Sequence, residues 1–166
     1  MYKQGLCSEA DTYRWDLPYK DTLEALAYIV NNTGAKVVLS SSWRHNPDNI
    51  LLLNNLFKPY GFQIYDKTCD GVSIEAVEKM GFDSNMVYDY STMYDGHPSK
   101  PYTTDRGAEI AKWLFTHSDV ESFVILDDDV EDIRPYFKKE HVKTDFYKDA
   151  LDMDCARKAV EILMKK

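Results

Sequence analysis

Phe123-Val124-Ile125-Leu126-Asp127-Asp128-Asp129 sets a four-residue apolar run directly against three carboxylates. A continuous apolar run with β-branched residues and no polar alternation suits a strand covered on both faces, so it predicts a buried strand ending in a charged turn. Val37-Val38-Leu39, running into Ser40-Ser41-Ser42, repeats the pattern. Two such strands separated by segments of helical period read as an α/β fold with a mostly parallel sheet. Ligands of such sheets bind at the carboxyl ends of the strands, so the Ser run and the Asp run are expected to share one crevice.

Around these strands the apolar pattern is helical. Leu23, Leu26, Ala27 and Val30 fall at i, i+3, i+4 and i+7 before Gly34, with Asp21 and Glu24 as an acidic variant of a capping box. Pro47 and Asp48 open a Leu-rich helix that closes before Gly61, and Phe62 to Tyr65 predicts a short strand. A helix from Ser73 to Met80 precedes a polar, Tyr-rich stretch, so residues 69 to about 104 form an excursion from the core. A helix after Arg106 carries Ile110, Trp113 and Leu114 on one face. His141 to Thr144 predicts a last strand, and Met153, Ala156, Val160 and Leu163 a terminal helix.

The 166 residues fit one domain, 1–166, built on one core. Twenty Lys and Arg against 28 Asp and Glu give a formal charge of −8, which excludes broad coating of nucleic acid but not one local basic groove. No apolar run is long enough to span a bilayer and no signal peptide is evident, so the expected location is cytoplasmic with no membrane partner. Cys7, Cys69 and Cys155 make no C-x-x-C pair and are expected as reduced thiols.

Three consecutive carboxylates in a half-buried turn raise one another's pKa unless a cation offsets them, and Mg²⁺, which takes one or two carboxylates and keeps waters, suits so small a cluster. Capping of the next turn by Asp129 and Asp127, with Glu131 and Asp132 on a solvated face, accounts for the same residues equally well. Arg44 and Arg106 offer planar forks of donors to phosphate; Trp43 reads as core. The four His residues have no metal-ligand spacing.

Taken together, VVLSSSWR (37–44), RGAEIAKWL (106–114) and FVILDDD (123–129) resemble the haloacid dehalogenase (HAD) superfamily of phosphohydrolases, and more narrowly the HAD domain of Swiss Army Knife RNA repair proteins. The resemblance runs from about residue 20 to the end, outside the Tyr-rich excursion. It implies a Rossmann-like three-layer sandwich and a Mg²⁺-dependent reaction on a phosphomonoester, a small phosphorylated substrate such as a nucleotide or a nucleic-acid end. By the same resemblance Ser40, with Ser41 as the alternative register, is the hydroxyl on the transferring phosphoryl group. Arg106 is the cation on its charge, Asp128 the metal ligand with Asp127 beside it, and Arg44 a substrate contact.

One family element is missing. Members begin with an apolar strand ending in D-x-D, whose first Asp is the nucleophile. Before Val37 only Glu9-Ala10-Asp11 has a comparable spacing, after a poor strand. The expectation is therefore a sheet lacking its first, central strand between those ending at Ser42 and Asp127, with Met1 an internal or misassigned start. Roughly twenty residues would be absent, about one strand and its loop. A non-catalytic, HAD-like binding domain is the alternative. The gap is then closed by direct pairing of its neighbours or by a strand from another chain. A receiver domain uses similar groups, but there the acidic pair comes first in the chain.

Overall fold

The computed structural model describes residues 18–93, 100–145 and 150–165. Glu9-Ala10-Asp11, Cys7 and residues 94–99 of the excursion lie outside the described residues. Helix α1 (Lys20–Thr33) leads into β1 (Val37–Leu39), α2 (Pro47–Phe57) and β2 (Ile64–Lys67). The excursion contributes β3 (Val72–Ser73), α3 (Ile74–Lys79) and β4 (Tyr102–Thr103). Then come α4 (Arg106–Phe115), β5 (Ile125–Asp127), β6 (His141–Lys143) and α5 (Met153–Met164). The class is α/β, as the alternation of patterns requires. Among the described residues no helix is long and apolar enough to cross a membrane.

β1 pairs parallel with β2 and β5 parallel with β6, while β3 and β4 form a small antiparallel ribbon at the base of the excursion. β1 and β5 do not pair with each other among the described residues. Between them lies a cavity of about 1680 Å³, walled by Val37–Leu39, Val124–Leu126, Leu26 and Ile29 of α1, and Ile110 and Trp113 of α4. Direct pairing of β1 with β5 is thereby corrected: among the described residues the two strands both line this cavity without pairing. The same cavity explains why β1, expected to be covered on both faces, is only half-buried along its length.

α1 packs between two neighbours. Ala25 and Ile29 meet Ala156 and Ala159 of α5 together with Val142 and Leu151. Leu23 meets Leu53 and Phe57 of α2, with Trp43 half-buried against them. Its N-cap is Tyr19, without a side-chain bond, and Glu24 pairs with Lys20 at 3.5 Å, so the acidic capping box is not formed. Two strands start later than their apolar runs. Phe62 stacks on Phe57 and Phe123 meets Phe137 edge-on, so both rings join local aromatic packing ahead of the ladders.

The α4 stripe also divides. Ile110, Trp113 and Leu114 face the large cavity, while Gly107, Ala108 and Ala111 are the deeply buried positions. A Cβ on Gly107 would lie 2.3 Å from the Tyr136 ring and 2.6 Å from the Asp132 carbonyl, to which the Gly107 N–H donates at 3.0 Å. The backbone neighbour has no side-chain freedom with which to yield, so Gly107→Ala is expected to lower stability by about 1–3 kcal/mol. Urea unfolding checks this, and a change under 0.5 kcal/mol would contradict the contact.

Candidate functional site

β5 ends one residue later than its apolar run, at Asp127. The ladder with β6, in which Asp127 registers with Lys143, therefore fixes the carboxylate's backbone. The Asp127 carbonyl accepts from Thr144 N–H and from His141 Nε2, both at 3.0 Å. Ser40 follows β1 directly. Across the gap stands Arg106, the first residue of α4: its Nη1 donates to the Ser40 carbonyl at 3.2 Å and its Nε lies 3.4 Å from Asp127 Oδ2. One guanidinium thus links the carboxyl ends of the two strands that the cavity separates.

Asp127 Oδ1 accepts from Asp129 N–H at 2.9 Å, and Asp129 Oδ1 accepts from Glu131 and Asp132 N–H. Turn-capping by these two residues is therefore real. Asp128 makes no such bond and is exposed. Burial pushes the Asp127 carboxyl above the usual carboxylate range, with Arg106 pulling the other way and Asp128 and Asp129 adding to the rise. Asp132 is raised for the same first reason, burial, with Asp129 and Asp105 next. It is half-buried beside the cluster instead of on a solvated face, a placement its sequence context did not signal.

Two carboxylates pushed toward protonation mark a place where added positive charge is favoured. Asp127 and Asp128 offer hard oxygen donors, yet among the described residues no three of His, Cys, Asp or Glu converge on one point. Such a set fits Mg²⁺ held by one or two carboxylates and several waters, and does not fit an all-protein cage.

Arg44 is turned inward. It is 6% exposed, its Nη2 donates to Glu109 Oε2 at 2.7 Å, and its Nη1 donates to the Ser40 carbonyl. Glu109 Oε1 accepts from Gly71 N–H at 2.9 Å, tying α4 to the start of the excursion. The expected substrate contact is thus engaged inside the protein, behind Ser40. The hydroxyls of Ser40 and Ser41 make no hydrogen bond among the described residues, and both residues line the cavity mouth with Arg106, Asp127 and Asp128. The geometry brings together Ser40, Arg106 and Asp127 and keeps the register alternative, Ser41, beside them.

Sequence comparison decides the family. A family model described as the HAD domain in Swiss Army Knife RNA repair proteins matches residues 6–149. The chain belongs to this family. The match to the HAD domain starts before residue 20, runs through the whole excursion, and stops ahead of α5. No curated protein and no solved structure matches the chain. Burial pushes up the thiols of Cys69, within the match, and Cys155, beyond it, so each favours the protonated form.

Proposed function

We propose that this HAD domain is a Mg²⁺-dependent phosphohydrolase that acts on a phosphomonoester, and that its substrate is a nucleotide or a nucleic-acid end. One observation carries the reading: Arg106 joins the Ser40 carbonyl and the Asp127 carboxylate across the cavity, putting hydroxyl, guanidinium and acids at one mouth. Phosphoryl transfer asks a protein mainly for positioning and charge neutralisation. Ser40 Oγ donates to a phosphoryl oxygen, and Arg106 offsets the charge that grows on the other oxygens. Asp128, with Asp127, holds the metal. When bound, Mg²⁺ supplies further neutralisation of the transferring group. The matched family, a domain of RNA repair proteins, supports the nucleic-acid half of the substrate.

The nucleophile belongs to the same proposal. An apolar strand ending in D-x-D is assigned to the gap between β1 and β5, a reading supported by their lack of mutual pairing among the described residues and by the apolar residues that line the cavity between them. The test assays the chain on p-nitrophenyl phosphate and on a phosphorylated oligoribonucleotide, with Mg²⁺ or EDTA, alone and with such a strand fused ahead of Met1. Turnover is expected only where both D-x-D and Mg²⁺ are present, and Asp128→Asn should then reduce it by about 10²-fold or more. Undiminished turnover in Asp128→Asn overturns the reading. A second reading, a HAD-like binding domain without catalysis, is favoured by the sequence ahead of β1, which holds Glu9-Ala10-Asp11 but no D-x-D; its signature is phosphate-ligand binding with no turnover in any arm.

A further inference from the structure

The chain carries net negative charge, yet five of its 20 Lys and Arg residues line one cavity of about 430 Å³. Lys158, Glu161 and Ile162 lie at i, i+3 and i+4 on α5, so one helical face supplies one wall, and Lys165, the residue that caps its C-terminus, extends it. Lys143 of β6 supplies another, and Arg134 and Lys139 come from the β5–β6 connection. Glu161 is the one carboxylate in the lining. None of the five cations makes an ion pair with a described carboxylate, whereas Lys20, Lys79 and Arg157 each hold a local acidic partner. Cations crowded five to one against carboxylates in the lining, and held in no ion pair among the described residues, repel one another and attract polyanions.

The cleft also touches the candidate site. Lys143 registers with Asp127 on the neighbouring strand, and neighbouring strands run about 4.8 Å apart. His141, which lines the cleft, donates from Nε2 to the Asp127 carbonyl. A strand whose phosphorylated end lay at Ser40, Arg106 and Asp127 would have Lys143 as its neighbouring cation, with Lys158 and Lys165 in the same cleft.

We propose that this cleft binds successive backbone phosphates of a single-stranded nucleic acid and so anchors the strand whose phosphorylated end enters the site. The proposal rests on the phosphohydrolase reading for the role of that end. The small cleft and the overall charge of −8 predict a short footprint, a few phosphates, and no coating of duplex.

The experiment is fluorescence anisotropy of the full 166-residue chain with labelled ten-nucleotide RNA, carrying a phosphate at the 5′ end, at the 3′ end, or at neither, across a salt series. The comparison variant is Lys143→Gln/Lys158→Gln/Lys165→Gln, whose sites are all exposed. Wild type is expected to bind at least tenfold more tightly than the variant, and the slope of log affinity against log salt should be shallower in the variant by about 2. One of the two phosphorylated strands should bind more tightly than the bare one, and Arg106→Ala should remove that difference alone. Equal binding by wild type and the triple variant overturns the cleft. Equal displacement by inorganic polyphosphate overturns the assignment to nucleic acid, and no gain from either end phosphate overturns the path into the site. Anisotropy needs no turnover, so cleft-dependent binding together with no hydrolysis even in the form carrying the D-x-D strand sinks the hydrolytic reading and leaves the anchor standing.

Discussion

Arg44→Met should lower the unfolding free energy by about 3–5 kcal/mol at neutral pH, the loss typical when one partner of a buried ion pair is removed. Arg44 and Glu109 are 6% and 2% exposed and 2.7 Å apart, so the variant leaves a buried carboxylate that keeps the Gly71 N–H but has lost its ion-pair partner. Burial already pushes the Glu109 carboxyl up, and Arg44 is among the groups pulling it down. Without Arg44 that pKa rises further, and this fixes the sign of the pH dependence. The folded state then holds a proton that the unfolded chain releases, across the window from the ordinary Glu value to the raised one. Stability of the variant relative to wild type therefore improves as pH falls through that window and worsens as it rises.

The double variant Arg44→Met/Glu109→Leu should lie closer to wild type than either single change, because no charge is left behind. Urea denaturation of the four proteins at two pH values checks all of this. A cost under 1 kcal/mol for Arg44→Met, or no pH dependence of that cost, would mean that water or another group takes over the carboxylate.

That pair also marks where the sequence stops being legible. The strands of the core, their polar C-terminal clusters and Arg106 follow from local pattern: apolar runs give strands, and the topology of parallel sheets sends their ends to one side. Partnership across 65 residues is different, since nothing in SSSWR names Glu109. A faint signal existed, because Glu109 sits four residues before Trp113 within an otherwise apolar helical stripe, where a charge requires a buried partner. Gly107 gave a weaker one: its role is a close approach to Asp132 and Tyr136, visible only when α4 and the 132–136 turn are placed together. The one-residue extension of β5 to Asp127 was hidden for the same reason, being set by register with β6 instead of by hydropathy.

Arg106→Ala should reduce phosphoester turnover by about 10²–10³-fold in the form carrying the D-x-D strand. Helix stability gives no reason for an arginine here. A cation in the first turn opposes the helix dipole, so its position is better explained by what it faces. It faces the Ser40 carbonyl and Asp127, and with 29% of its side chain exposed it retains access to a ligand at the cavity mouth. Removing it takes away the charge on the phosphoryl oxygens and the tie between β1 and β5 together. Two readouts separate these effects. Arg106→Lys restores charge but offers no planar fork to span two partners, so it should recover KM more than kcat. The metal response should move the opposite way to activity. Arg106 offsets the charge of Asp127 and Asp132, so without it a divalent cation gains more by binding, and the rise in melting temperature on adding Mg²⁺ should be larger in Arg106→Ala than in wild type. Loss of both activity and the Mg²⁺ response would instead make Arg106 a structural strut that merely holds the two strand ends together.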